Sequence, residues 1–518
     1  MKASLSPEEG LVRTLTAVGI PPASVTRFAR LRLASRQIVL PMGMTTLLLA
    51  AVAYDWLWFL NLAPNVAVPM PRMPVPNAFD FFCAAGQQAT HDTEIGYAIS
   101  NKKPDPGQNI VQPTGSPISP SQDGMQPPAL MGGPPTAVQK PHDPNRYYSL
   151  PEKEALVNEN TGALKLLRQG LPYPYQNPPA RSYNQEFPYY EQFRSLARLL
   201  TLEGQVRAAH GDWAGAVNSS LDAMQMGAQM PHGSTMLGKL VGLGCEKIGR
   251  KPLWTAVEHL NAAQTQAAEK RIEHIRTLYV PLADTLQEEK WFGQAAMQAA
   301  FLQMHWWQTL TQVPGGFPML NPGYVLPMLR YSKRQILDNY TRYMDQSIIN
   351  MRLPYTDHSA PVPMPEDPVN QIRLPIYTYY QWMDLADGQV QDALLQVMLA
   401  LRAYHLDHNQ YPQALAQLVP KYISKIPDDP FAMQDSHGRL IGRMLMLTGL
   451  SREDTVIMPA PLRYRRTAHK YVLYSVGPDG VDNGGKPMAK LDQPQNSSKR
   501  YRMQEDGLGD IVAGTNQD

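Results

Sequence analysis

The chain reads as an α+β protein with a single N-terminal transmembrane helix, a mainly α-helical middle domain and a small C-terminal α+β domain. Three observations lead there. An apolar segment at 38–62 follows four arginines, helix-period patterning fills 150–383, and from 384 a long amphipathic pattern gives way to short alternating segments. At 518 residues the chain has room for several domains. Its 48 prolines exceed the ~5% of an average protein and imply long irregular stretches. A formal charge of +2 is too small for a nucleic-acid binder, and no aromatic-studded basic run changes that, so nucleic acid is excluded as a partner. Cys83 and Cys245 allow at most one disulfide and neither a thiolate metal site nor a disulfide framework.

The segment IVLPMGMTTLLLAAVAYDWLWFLNL carries no charge from 38 to 54 and resumes its apolar run after Asp55. That is about the ~20 residues needed to cross ~30 Å of hydrocarbon. Arg27, Arg30, Arg32 and Arg36 precede it and the next charge beyond Asp55 is Arg72, so residues 1–37 are expected to be cytoplasmic. The expectation is an uncleaved anchor in the inner (cytoplasmic) membrane. Membrane lipid would surround 38–62, and the bulk of the chain would be periplasmic or extracellular.

Residues 63–149 form a Pro-rich stalk and linker, interrupted by a short amphipathic helix from Asn77. Between 101 and 144 nothing clusters that a fold could bury. Helices are expected from 150 to 170, with Pro151 near the start and Gly170 at the end, then across 188–230 with a break at His210-Gly211-Asp212. Phe193, Leu196, Ala197, Leu200, Gly204 and Ala208 share one stripe, and Asp212 in the His210-Gly211-Asp212 break is suited to cap the next helix. Helix, GDW turn, helix resembles one tetratricopeptide-type hairpin, although a solenoid would need about three such units. Further helices are expected at 234–262, 265–280, 282–309 and about 330–351. The stop at Pro427 and Pro430 then precedes a hairpin with Leu462, Tyr464 and Arg466 on one face and Thr467 to His469 as its turn.

YVLYSVGPDGVDNGG, 471–485, starts as a buried strand and collapses into acids, amides and glycines. Calcium needs six to eight hard oxygens, and Gly477, Gly480, Gly484 and Gly485 allow backbone carbonyls to turn inward. Asp479, Asp482 and Asn483 therefore form a candidate cation loop, although Asp479-Gly-Val-Asp482 lacks the EF-hand spacing. A plain Asp/Gly loop without metal is the alternative.

ALRAYHLDHNQYPQALAQLVPKYISKIPDDPF, followed by YVLYSVGPDGVDNGG and GDIV, resembles the globular domain of the type II secretion major pseudopilin and of type IV pilin-like proteins. The resemblance covers about 384–512 of the C-terminal domain 384–518, and similar modules close large membrane-anchored bacterial proteins with helical middles. It implies a calcium loop in which Ser475, Asp479 and Asp510 match the motif, with Asp482 and Asn483 in ligand-compatible places. It also implies partners among envelope or secretion proteins.

No H-E-x-x-H, Walker A, G-x-S-x-G or G-x-G-x-x-G pattern occurs, so no catalytic residue is assigned. His405 and His408, Glu288 and Glu289, and the RYRR run at 463–466 read as solvated faces. The expectation is a non-enzymatic structural or protein-interaction protein. The alternative is a membrane-tethered hydrolase with an unrecognised site in the helical domain.

Overall fold

The computed structural model describes residues 42–53, 66–100, 146–182, 185–303, 330–353, 362–373, 379–438, 440, 458–467, 470–488 and 509–515. The chain divides into two compact units, one of Met1–Val68, Gly293–Tyr343 and Met364–Pro375, the other of Pro69–Phe292, Met344–Pro363 and Ile376–Asp518.

The membrane expectation is corrected. Among the described residues no helix is long and apolar enough to cross a membrane. The described part of 38–62 is a helix over 42–53. The rest of that segment, and the 1–37 and 101–144 expectations, lie outside the described residues. The single-pass placement in the inner membrane, with most of the chain outside the cytoplasm, is withdrawn with the span. The fold class is corrected too: the described residues are mostly helical with few, short strands and include no membrane-spanning helix.

In the larger unit, α1 (Ala78–Gln88) starts at Asn77, whose side chain accepts from Phe79 N, and α2 (Asp92–Ser100) follows. The expected 150–170 helix is two, α3 (Leu150–Glu159) and α4 (Thr161–Gly170). They part at Asn160, 1% exposed, whose amide oxygen accepts from Thr90 N at 2.8 Å while its Nδ2 donates to Thr90 O. A buried amide satisfied by another segment outweighs local helix continuity here.

Helices α5 (Tyr189–Ala209) and α6 (Trp213–Gln229) form the expected hairpin, and Asp212 caps α6 by accepting from Gly215 N. α6 is buried on every side from Leu221 to Gln229, because it separates two apolar cores. One core gathers α1, α2, α4 and α5; the other gathers α6, α8 (Ala262–Thr277), α12 (Tyr379–His408) and the strands. α7 (Met236–Ala256) crosses α6 closely. A Cβ at Gly242 would stand 2.6 Å from Gly227 O, and one at Gly249 2.6 Å from Ser220 O, so both positions need glycine.

Helix α9 (Leu282–Gln303) and helix α10 (Lys333–Met351) contribute residues to both units. Within the smaller unit, Gln294 Nε2 donates to Thr341 Oγ1 at 3.0 Å. Lys333 Nζ donates to Phe301 O at 2.8 Å, and Asn370 of α11 (Pro368–Arg373) donates to Ile336 O at 2.9 Å.

The terminal region rests on α12, whose Val390, Ala393, Leu394, Val397, Ala400 and Leu401 belong to the same core as Phe431, Leu473 and Ile511. Where a stop was expected at Pro427 and Pro430, the chain forms strand β1 (Asp428–Gln434), antiparallel to β2 (Met458–Pro461). The pairing shifts between Asp429 and Met433, and Pro430 falls in that irregularity, where a missing amide donor costs least. β3 (Arg463–Arg466), β4 (Tyr471–Ser475) and β5 (Ile511–Val512) make a second antiparallel sheet. The expected hairpin is present: Tyr464 faces Leu473, Arg466 faces Tyr471, and Thr467 N donates to Lys470 O at 2.7 Å.

Candidate functional site

The loop that leaves β4 is folded by its own side chains. Gly477 has φ +75, and a Cβ there would meet Gly509 O at 2.7 Å, so the chain can pass β5 only without a side chain. Asp479 Oδ1 accepts from Val481 N at 3.0 Å. Asp482 Oδ1 accepts from Gly484 N and from the Tyr474 hydroxyl, each at 2.9 Å. Asp510 receives Asn483 N at 3.1 Å on one oxygen and Gly485 N at 2.6 Å on the other. Asn483 Nδ2 donates to Val481 O at 2.9 Å.

Asp479, Asp482, Asn483 and Asp510 thus lie in one loop, although Asp510 comes from 25 residues beyond Gly485. Ser475 points elsewhere, donating to Asp429 Oδ1 at 2.8 Å. Burial pushes the Asp510 carboxyl above its ordinary value, and the neighbouring Asp482 and Asp479 add to that. Burial also raises Asp479, whose Oδ2 is enclosed without a hydrogen-bond partner. Hard oxygens and one unanswered carboxylate oxygen fit calcium in kind. Even so, among the described residues no three His, Cys, Asp or Glu side chains converge as a ligand set.

Asp429 was not foreseen in the sequence. It is 1% exposed and accepts three hydrogen bonds, from Phe431 N, Ser475 Oγ and Val476 N, which tie β1 to the root of the loop. Burial raises its carboxyl to about 6 against those donors. Its signal was an acid between prolines in IPDDPF, which read only as a chain break.

A second group lies between α7 and α12. Arg250 Nη1 donates to Asp392 Oδ1 at 2.6 Å and to Gly388 O at 3.2 Å, and the Tyr279 hydroxyl donates to the other Asp392 oxygen. Glu246 is buried on the same helix as Arg250. Desolvation first, then the charge of Asp392, raises its carboxyl, whereas desolvation lowers Lys239. Lys239 and Tyr279 also line a cleft of 470 Å³ formed with the connection from α8 to α9, α12, β1 and β2. Nothing in LVGLGCEKIGR singles out Glu246 and Arg250; their burial becomes evident only when α6 and α12 are in place.

The remaining sequence candidates are structural. His405 packs tilted against Tyr411 and His408 stacks on Tyr404, ring centroids 4.5 and 4.1 Å apart. Glu288 bonds Arg181 at 3.0 Å, and Glu289 accepts from Met236 N at 2.8 Å at the start of α7, so these acids hold segments together and are not a solvated pair. Arg463 stands 3.9 Å from Asp482. Cys83 and Cys245 are both free thiols, and burial raises each to about 12. No family model matches the chain, and neither does any curated protein or solved structure.

Proposed function

We propose that the chain is a structural, protein-interaction protein in which a helical body holds the loop of 475–485 and Asp510 in a fixed presentation, stiffened by calcium. Its expected partners belong to the secretion or envelope class through the pseudopilin resemblance. One observation carries the reading: the loop is fastened to the body through β1 at Asp429, and β1 packs on α12 within the helical core. A loop so fastened loses little conformational freedom when a partner binds it, which favours recognition.

Hydrolysis is the weaker reading. The helices offer the cleft Lys239, Arg276 and Tyr279 instead of a carboxylate pair. Its acids are already engaged, Asp428 by Lys425 at 2.8 Å and Asp429 by its three donors. In calcium's presence Asp479, Asp482, Asn483 and Asp510 would hold the ion, which would supply charge neutralisation and rigidity. Millimolar calcium should raise the melting temperature of the full chain, and Asp479→Ala should remove the increment. An unchanged melting curve for the wild type would end the calcium assignment. For the interaction, a photo-crosslinking residue at Val481, 53% exposed, should give a discrete protein adduct in cells. A folded protein that gives none would refute presentation of this loop.

A further inference from the structure

Two cations stand on the wall of the 470 Å³ cleft, and one of them, Arg276, has no acid to answer it. Arg276, in the last turn of α8, donates through Nη1 to Gln396, but its Nε is buried with no partner, and it makes no ion pair among the described residues. Lys239 is 5% exposed, its ammonium donates to Val280 O at 2.7 Å, and the buried Glu246 carboxyl on the same helix acts on its charge. Burying a guanidinium donor unmatched costs stability unless something else supplies an acceptor. The acids across the cleft cannot do so: Asp428 is held by Lys425 at 2.8 Å, and Asp429 is saturated by its three donors on the side of β4. Between these groups the lining is apolar, with Leu282, Met351, Leu353 and Met433.

The cleft has the size of a small-molecule site, about 300–1,000 Å³, and its polar groups are few. A guanidinium on the cleft wall without an ion-pair partner suits a carboxylate, which can take two parallel bonds from such a group. We propose that this cleft binds a small organic acid, its carboxylate on Arg276 beside Lys239 and its apolar body along Leu282, Met351, Leu353 and Met433. The site is separate from the 475–485 loop and does not depend on the role given to that loop.

Titration calorimetry of the full chain with octanoate tests it, with octanol and sulfate as comparison probes. Octanoate should bind, octanol and sulfate should each bind at least tenfold more weakly, and Arg276→Gln should weaken octanoate at least tenfold. Leu353→Glu changes a position 39% exposed at the cleft, so it leaves the fold intact and should repel the acid by a similar factor even if the arginine variant fails to fold. Absence of octanoate binding at millimolar concentration would overturn the proposal. Equal binding of octanol or sulfate would do the same, as would octanoate affinity unchanged in Leu353→Glu.

Discussion

Replacing Arg250 with methionine tests whether the α7–α12 contact is an electrostatic unit. The Arg250 side chain is 8% exposed and that of Asp392 0%, with 2.6 Å between their charged atoms. Methionine retains much of the volume but deprives Asp392 of its counter-charge, leaving it the Tyr279 hydroxyl as a donor and the Glu246 carboxyl nearby. Removing one partner of a buried pair costs about 3–5 kcal/mol, whereas replacing both by apolar groups is often neutral. The single variant should therefore lose about 3–5 kcal/mol in urea unfolding followed by far-ultraviolet circular dichroism. Arg250→Met with Asp392→Leu should recover most of that loss, so the two changes are strongly non-additive. Glu246 favours recovery, because its raised pKa lets it stay neutral once Arg250 is gone. A single-variant loss below about 1 kcal/mol, or a double variant no better than the single, would refute the pairing argument.

Asp429 gives a pH dependence. Its carboxyl is raised from 3.8 to about 6, so the native state holds that proton more tightly than the unfolded chain. The resulting contribution is fully present below 3.8 and lost as pH rises through about 6. Asp429→Asn should abolish it, so the stability gap between wild type and variant widens by about 2–3 kcal/mol between pH 7 and pH 4, read from urea midpoints. A constant gap would count against a buried, proton-retaining acid. Gly242→Ala places a methyl 2.6 Å from Gly227 O and should cost about 1–3 kcal/mol by forcing α6 and α7 apart. A thermal melt that matches the wild type would show that the crossing has slack.

Local chemistry made several elements legible. Asn77 and Asp212 carry short acceptor side chains ahead of apolar-periodic runs and do cap α1 and α6. The stripe from Phe193 to Gly204 is buried, and the hairpin register about Thr467 follows from alternation. Such features depend on a few neighbouring residues, which the sequence states directly. Asp479, Asp482 and Asn483 lie together because glycines and acids at short spacing leave the chain few ways to satisfy its amides, whereas Asp510, expected only through the resemblance, joins them from 25 residues beyond Gly485.

Other features required partners distant in the chain. The apolar run at 38–62 suggested a membrane span, and no helix among the described residues is long and apolar enough to be one. Asn160 breaks a good helix because Thr90 reaches it. β1 tolerates Pro430 because its pairing is irregular there, and Ser475 turns to Asp429 because the two strands meet. The charges at Lys239, Glu246, Arg250, Arg276 and Asp392 look unremarkable on single helices. Packing of α7, α8 and α12 removes their water, and desolvation is a property of the assembled core that no local pattern encodes.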